Sequence, residues 1–105
     1  MPRDGGDGVK AKKLLYSLVL PSQREMAILE WLWSRKAASS SDIYGVFGQL
    51  WQVRRQVVHG MLQVMLEKGF IERRIEQSGA IYQPASSRAN FEQAVIQQLA
   101  ETFFH

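Results

Sequence analysis

With 105 residues, 46% of them hydrophobic, the chain is long enough for one packed core and too short for two. It has no cysteine, which excludes a disulfide framework, a thiolate metal site and a thiol nucleophile, and its two histidines, His59 and His105, lie too far apart in sequence to form a His-rich metal cluster. The net charge of +3 and the pI of about 9.5 are basic without being extreme, so the placement of charge matters more than its sum.

Residues 1–9, MPRDGGDGV, hold three glycines, a proline and two aspartates. With the lysines that follow, they predict a disordered basic arm over 1–13. The next run, 14–20, is apolar but interrupted by Ser17. It is too short to span a bilayer, and no small-residue cleavage site follows it, so neither a membrane segment nor a signal peptide is expected and the chain reads as soluble and intracellular. The run itself predicts a short strand or a leader turn packed on the core. A first helix is predicted from Ser22, because Ser22 and Glu25 have the spacing of a capping box and Pro21 precedes the cap. Met26, Leu29, Leu32 and Trp33 form its apolar stripe, with Ile28 beside it, and Arg35 and Lys36 suit its C-terminus. Since Trp33 falls on that stripe, Trp31 is expected to be part-exposed or to meet a partner.

Ser39 and Asp42 repeat the capping-box spacing and predict a second helix with a stripe of Ile43, Val46, Phe47 and Leu50. Gly45 and Gly48 weaken it by roughly 1 kcal/mol each relative to alanine, so it needs packing, or Gly45 admits a neighbouring helix at close range. Trp51, at the turn that follows, is expected to fill a corner of the core. The third helix is predicted over about 53–68. Val58, Met61, Leu62, Met65 and Leu66 make its buried face, and Arg55, Gln56, His59 and Gln63 cluster opposite. Gly69 is placed as a C-cap, and two strands, 70–75 and 80–83, flank a Gln77-Ser78-Gly79 loop before Pro84 ends the hairpin. A last helix is predicted from Ser86 or Ser87 to about Phe103, with Phe91, Val95, Leu99 and Phe103 at every fourth position and Ile96 and Thr102 alongside.

Charge and polar chemistry converge on the third helix and the hairpin. Residues 54–75 carry Arg54, Arg55, Lys68, Arg73 and Arg74 against Glu67 and Glu72, while residues from 86 onward carry Arg88 against Glu92 and Glu101. A helix that reads the major groove needs donors and acceptors for base edges, arginine for guanine and glutamine for adenine, with cations near its N-terminus where phosphates approach. Arg54, Arg55, Gln56 and His59 supply these types at that end, and Gln63 continues their face. Arg73 and Arg74 are adjacent and so point to opposite faces of a strand. One can reach a phosphate or the minor groove, and the other pairs with Glu72 or Glu76 or stays solvated. Each feature alone also fits an ordinary solvated surface; three helices followed by a basic hairpin turn the balance toward DNA. The predicted fold class is therefore mainly α with a small β-hairpin: a winged helix-turn-helix over 14–85 and a C-terminal helix over 86–105. The apolar stripe of that helix is expected to pair two copies through Phe91, Val95, Leu99 and Phe103, since Phe103 and Phe104 would otherwise be exposed. Ser39, Ser40 and Ser41 have no histidine at a useful spacing, and Gly5-Gly6-Asp7-Gly8 lacks the strand and helix of a phosphate loop, so no catalysis, cofactor or metal is expected.

The segments EMAILEWLW (25–33), ASSSDIY (38–44), LQVMLEKGFIER (62–73), IYQP (81–84) and Ser87-Arg88 resemble the penicillinase-repressor family, the winged-helix repressors of β-lactamase and copper-resistance genes. The resemblance covers about residues 20–103. Its more specific parts are the Leu-Trp ending of the first helix and the Lys68-Gly69 segment before the wing. It implies a homodimeric transcriptional repressor on a palindromic operator, in a prokaryotic cytoplasm and on the nucleoid when bound, with the helix around 54–67 in the major groove. Two features depart from the family. Gln56-Val57-Val58, after two arginines, stands where members usually carry a Thr-Thr-Val type sequence, so the operator does not carry over. Members also continue into further dimerisation helices, so a shortened C-terminal dimerisation region is expected here. The alternative is a winged helix used for protein contact within a larger assembly, in which Trp31, Trp51 and Phe104 would matter more than the arginines.

Overall fold

A computed structural model describes residues 20–104. The expected arm over 1–13 and the run at 14–19 lie outside the described residues; Leu20 is exposed and irregular. Among the described residues there are four helices and a three-stranded antiparallel sheet, the arrangement of a winged helix-turn-helix.

Helix α1, Gln23–Arg35, opens with the capping box the sequence predicts: Glu25 N donates to Ser22 Oγ at 3.1 Å, and Ser22 N donates to Glu25 Oε1 at 2.9 Å. It closes at Lys36, whose N–H donates to Leu32 O. Strand β1, Ala38–Ser39, leads into α2, Ser40–Trp51. Ser39 Oγ accepts from Asp42 N at 3.1 Å, so the forward half of the second predicted box is made. The Asp42 carboxylate, one methylene shorter than a glutamate's, lies 4.0 Å from Arg35 Nη2. Gln52, at φ 55°, ends α2.

Helix α3, Arg55–Lys68, starts two residues later than predicted, because Arg54 is its extended N-cap. It stops at Gly69, at φ 83°. Gly69 N donates to Leu66 O and Phe70 N to Met65 O, the paired bonds of a Schellman ending. Strands β2, Ile71–Glu76, and β3, Gly79–Pro84, pair in register from Ile71 opposite Pro84 to Glu76 opposite Gly79. The connection is Gln77-Ser78, one residue shorter than the predicted loop, since Gly79 at φ 119° already belongs to β3. Strand β1 lies on the other side of β3, with Ala38 opposite Tyr82, giving the order β1-β3-β2. The predicted hairpin did not include β1. Helix α4, Arg88–Phe103, follows.

Residues Pro21–Arg88 form one compact unit. Its core draws Ile28, Leu29 and Leu32 from α1, Ile43 and Phe47 from α2, Val58, Leu62 and Met65 from α3, and Ile71 and Tyr82 from the wing strands. The predicted stripes are wider than the buried ones. Met26, Met61 and Leu66 are half-buried, and Val46 and Leu50 are exposed at 39% and 64%. Helix α2 buries Ile43, Phe47 and Gly48, and Val46 and Leu50 lie on the next line around the helix. Trp31 and Trp51 are half-buried on either side of Phe47, with ring centroids 5.7 and 4.9 Å away. Trp33, also half-buried, donates from Nε1 to Ser86 O at 2.8 Å, and Arg88 covers its ring and pairs with Glu30, so the end of the unit is tied to α1. The remainder of α4 belongs to a second unit. No residue of α4 is buried: Phe91, Val95 and Leu99 are half-buried, and Ile96 and Phe103 are exposed.

Candidate nucleic-acid interface

The three helices of the Pro21–Arg88 unit begin differently. Helices α1 and α2 have serine caps whose oxygens accept backbone N–H groups, and each has an acidic residue in its first turn. Helix α3 has Arg54 as its N-cap, no side-chain cap bond and no acid in its first turn. Its first amides and the positive end of its dipole are therefore not opposed by its own side chains, a start suited to an approaching anion.

The outward face of α3 follows from its inward one. Val58, Leu62 and Met65 are buried, and the 3.6-residue repeat turns Gln56, His59 and Gln63 into one sector away from them, while Arg55, in the first turn, stands at the edge between that sector and the buried line. Arg55, Gln56 and His59 are exposed and Gln63 is half-buried; Arg54, just ahead, is exposed too. Beside this sector a cleft of about 480 Å³ opens between α2 and α3, floored by Val58 and Leu62 and rimmed by Ser40, Tyr44, Arg55 and His59. The guanidinium carbon of Arg55 sits 4.6 Å from the centroid of the Tyr44 ring. Sequence reading selected Arg55 and missed Tyr44, which lies off the buried line of α2; the Tyr44–Gly48 spacing of four was the available signal.

The wing separates its two arginines by strand alternation. Arg73 stands opposite Tyr82 and Arg74 opposite Ile81. Arg74 donates to the Glu76 carboxylate and to Gln83 Oε1, and Gln83 Nε2 donates to Glu72 Oε1 at 3.3 Å. Arg73 is exposed and has no ion pair among the described residues. Lys68, counted by sequence with the same basic segment, is turned elsewhere: its Nζ lies 3.0 and 3.2 Å from the two oxygens of buried Glu25.

Among the described residues no group of three or more His, Asp or Glu side chains could hold a metal ion, and no helix is long and apolar enough to cross a membrane. A search of curated proteins gives no match. The sequence model of the family described as penicillinase repressor matches residues 21–105, a span that takes in all of α1, α2, α3 and the wing. With that match over most of its length, and with the winged helix-turn-helix in place, the chain belongs to the penicillinase repressor family, a family of DNA-binding transcriptional repressors rather than enzymes.

Proposed function

We propose that the protein is a sequence-specific repressor acting as a homodimer on a palindromic operator in duplex DNA, in a prokaryotic cytoplasm. Helix α3 lies in the major groove. Arg55, Gln56, His59 and Gln63 face base edges, and Arg54 and Arg73 hold phosphates. Arg74, whose charge Glu76 already meets, is the weaker phosphate ligand of the wing. Residues 14–85 bind the operator, the basic arm 1–13 adds charge, and the helix within 86–105 pairs two copies through Phe91, Val95, Leu99 and Phe103 so that their two-fold axis matches that of the operator. The observation that carries this reading is the start of α3: an acid-free N-terminus with no side-chain cap, next to exposed Arg55, Gln56 and His59.

The test is selection of bound sequences from random duplex DNA, followed by titration of the selected and scrambled duplexes at several salt concentrations. Wild-type protein is expected to prefer the selected duplex and to lose affinity as salt rises. Arg55→Ala or Gln56→Ala should cost roughly 1–3 kcal/mol on the selected duplex only. Enrichment of no sequence, with no salt-dependent binding, overturns the reading. The protein-contact alternative then rests on exposed Val46 and Leu50, since Trp31 and Trp51 pack about Phe47.

A further inference from the structure

Tyr44 is not among the residues assigned to DNA above, yet three observations meet on it. Its ring crosses Gly48 one turn along α2: a Cβ at Gly48 would stand 2.5 Å from Tyr44 Cε1 and 2.7 Å from Cδ1. Gly48 is thus a shelf that holds the ring, whereas a Cβ at Gly45, offered by the sequence for close approach, would meet nothing within 4 Å. The Arg55 guanidinium covers the same ring. Tyr44 and Arg55 also rim the same cleft, together with Ser40 and His59.

Of the other arginines set over rings in the unit, Arg24 over Trp51 likewise has no ion pair among the described residues, whereas two others do. Arg35 and Arg88 cover Trp31 and Trp33 and also face the carboxylates of Asp42 and Glu30. Arg55 has no carboxylate partner among the described residues. The absence of a carboxylate at Arg55 has a chemical meaning. A carboxylate would occupy the planar N–H edge of a guanidinium, the edge that also forms bidentate bonds to guanine. A ring held against the guanidinium face leaves that edge open while restricting the side chain before DNA arrives.

We infer that Tyr44 is a positioning residue for operator recognition, aiming the donor edge of Arg55 into the groove, and that Gly48 provides the space this requires. The inference rests on the DNA-binding reading above. Its test uses the full chain and the selected and scrambled duplexes, with thermal unfolding of every variant. Tyr44→Phe keeps the ring and should keep the operator-to-scrambled affinity ratio within about twofold. Tyr44→Leu should lower that ratio roughly fivefold or more. Gly48→Ala sets a Cβ against the ring, displaces it and should lower the ratio in the same direction. In an Arg55→Ala background Tyr44→Leu should have no further effect on the ratio, because its role runs through that arginine. A ratio unchanged in both Tyr44→Leu and Gly48→Ala overturns the role of Tyr44 while the DNA reading stands, as does an equal loss with and without Arg55. A wild-type chain that discriminates between no duplexes overturns the DNA reading and this inference with it.

Discussion

Glu25 shows how much a single side chain carries in so small a unit. Only 5% of the residue is exposed, and a carboxylate in that position must be met by partners. Ser22 N meets it from the first turn of α1, and Lys68 Nζ meets it from the last turn of α3. The residue therefore links the start of the first helix to the end of the proposed reading helix. Lys68→Met should cost about 2 kcal/mol, below the 3–5 kcal/mol of a fully buried pair because the Lys68 side chain is 36% exposed. Urea unfolding should show it as a lowered midpoint at an unchanged slope, and a loss under about 0.5 kcal/mol would mean that solvent screens the pair as it does on a surface. The capping role of Glu25 was legible from its spacing to Ser22. The pairing was not, because it joins residues 43 apart in sequence and spacing arguments reach only one helical turn.

At the scale of elements, the ends were more legible than the faces. Ser22, Ser39 and Gly69 mark boundaries through their own backbone and side-chain chemistry, and each stands at the end it predicts. Strand β1 has only two residues and so has no period to detect; it forms because β3 has a free edge at Ile81 and Tyr82. The stripe of α2 was read too wide because periodicity orders residues around a helix without saying how much of its circumference its neighbours cover. At the C-terminus of α3, Gly69→Ala should cost about 1–2 kcal/mol in thermal or urea unfolding. Nothing lies within 4 Å of the added methyl, so the whole cost would be backbone strain at φ 83°. In the wing, Arg73→Ala should make the salt dependence of DNA binding shallower by about one in the log–log slope. Arg74→Ala should change it less, because Glu76 and Gln83 already engage that guanidinium. Equal slopes for the two variants would mean that the pairing with Glu76 opens on DNA.

For the whole molecule, the proposed dimer depends on α4. An apolar stripe states how much surface must be covered, and a single chain does not name what covers it; hence the sequence located Phe91, Val95, Leu99 and Phe103 without establishing their partner. With Leu99→Lys and Phe103→Lys together, the full chain should sediment as a monomer, and operator affinity should fall by about a hundredfold as the two half-sites lose their tether. Binding to scrambled duplex, which needs no two-fold match, should fall far less. A wild-type chain that sediments as a monomer at high micromolar concentration and still binds its operator tightly would remove the dimer from the proposed function. The contacts of Trp33 with Ser86 and Arg88 belong to the Pro21–Arg88 unit, so that variant should unfold with the wild-type midpoint in the transition reported by tryptophan.

Among the described residues the order β1-β3-β2 leaves β2 at the rim of the sheet, with no strand beside one side of its backbone. Unpaired strand rims invite growth by other chains, and like many natural proteins this one sets charge there: Glu72, Arg73, Arg74 and Glu76 make up four of its six residues. Ile71 is buried, which leaves Ile75, 73% exposed, as the apolar side chain that those charges flank. Stripping both arginines to abolish DNA binding would also remove half of these gatekeepers. Such a variant should scatter light and leave solution on concentration or warming, and its missing gel shift would then report clumped protein rather than lost phosphate contacts.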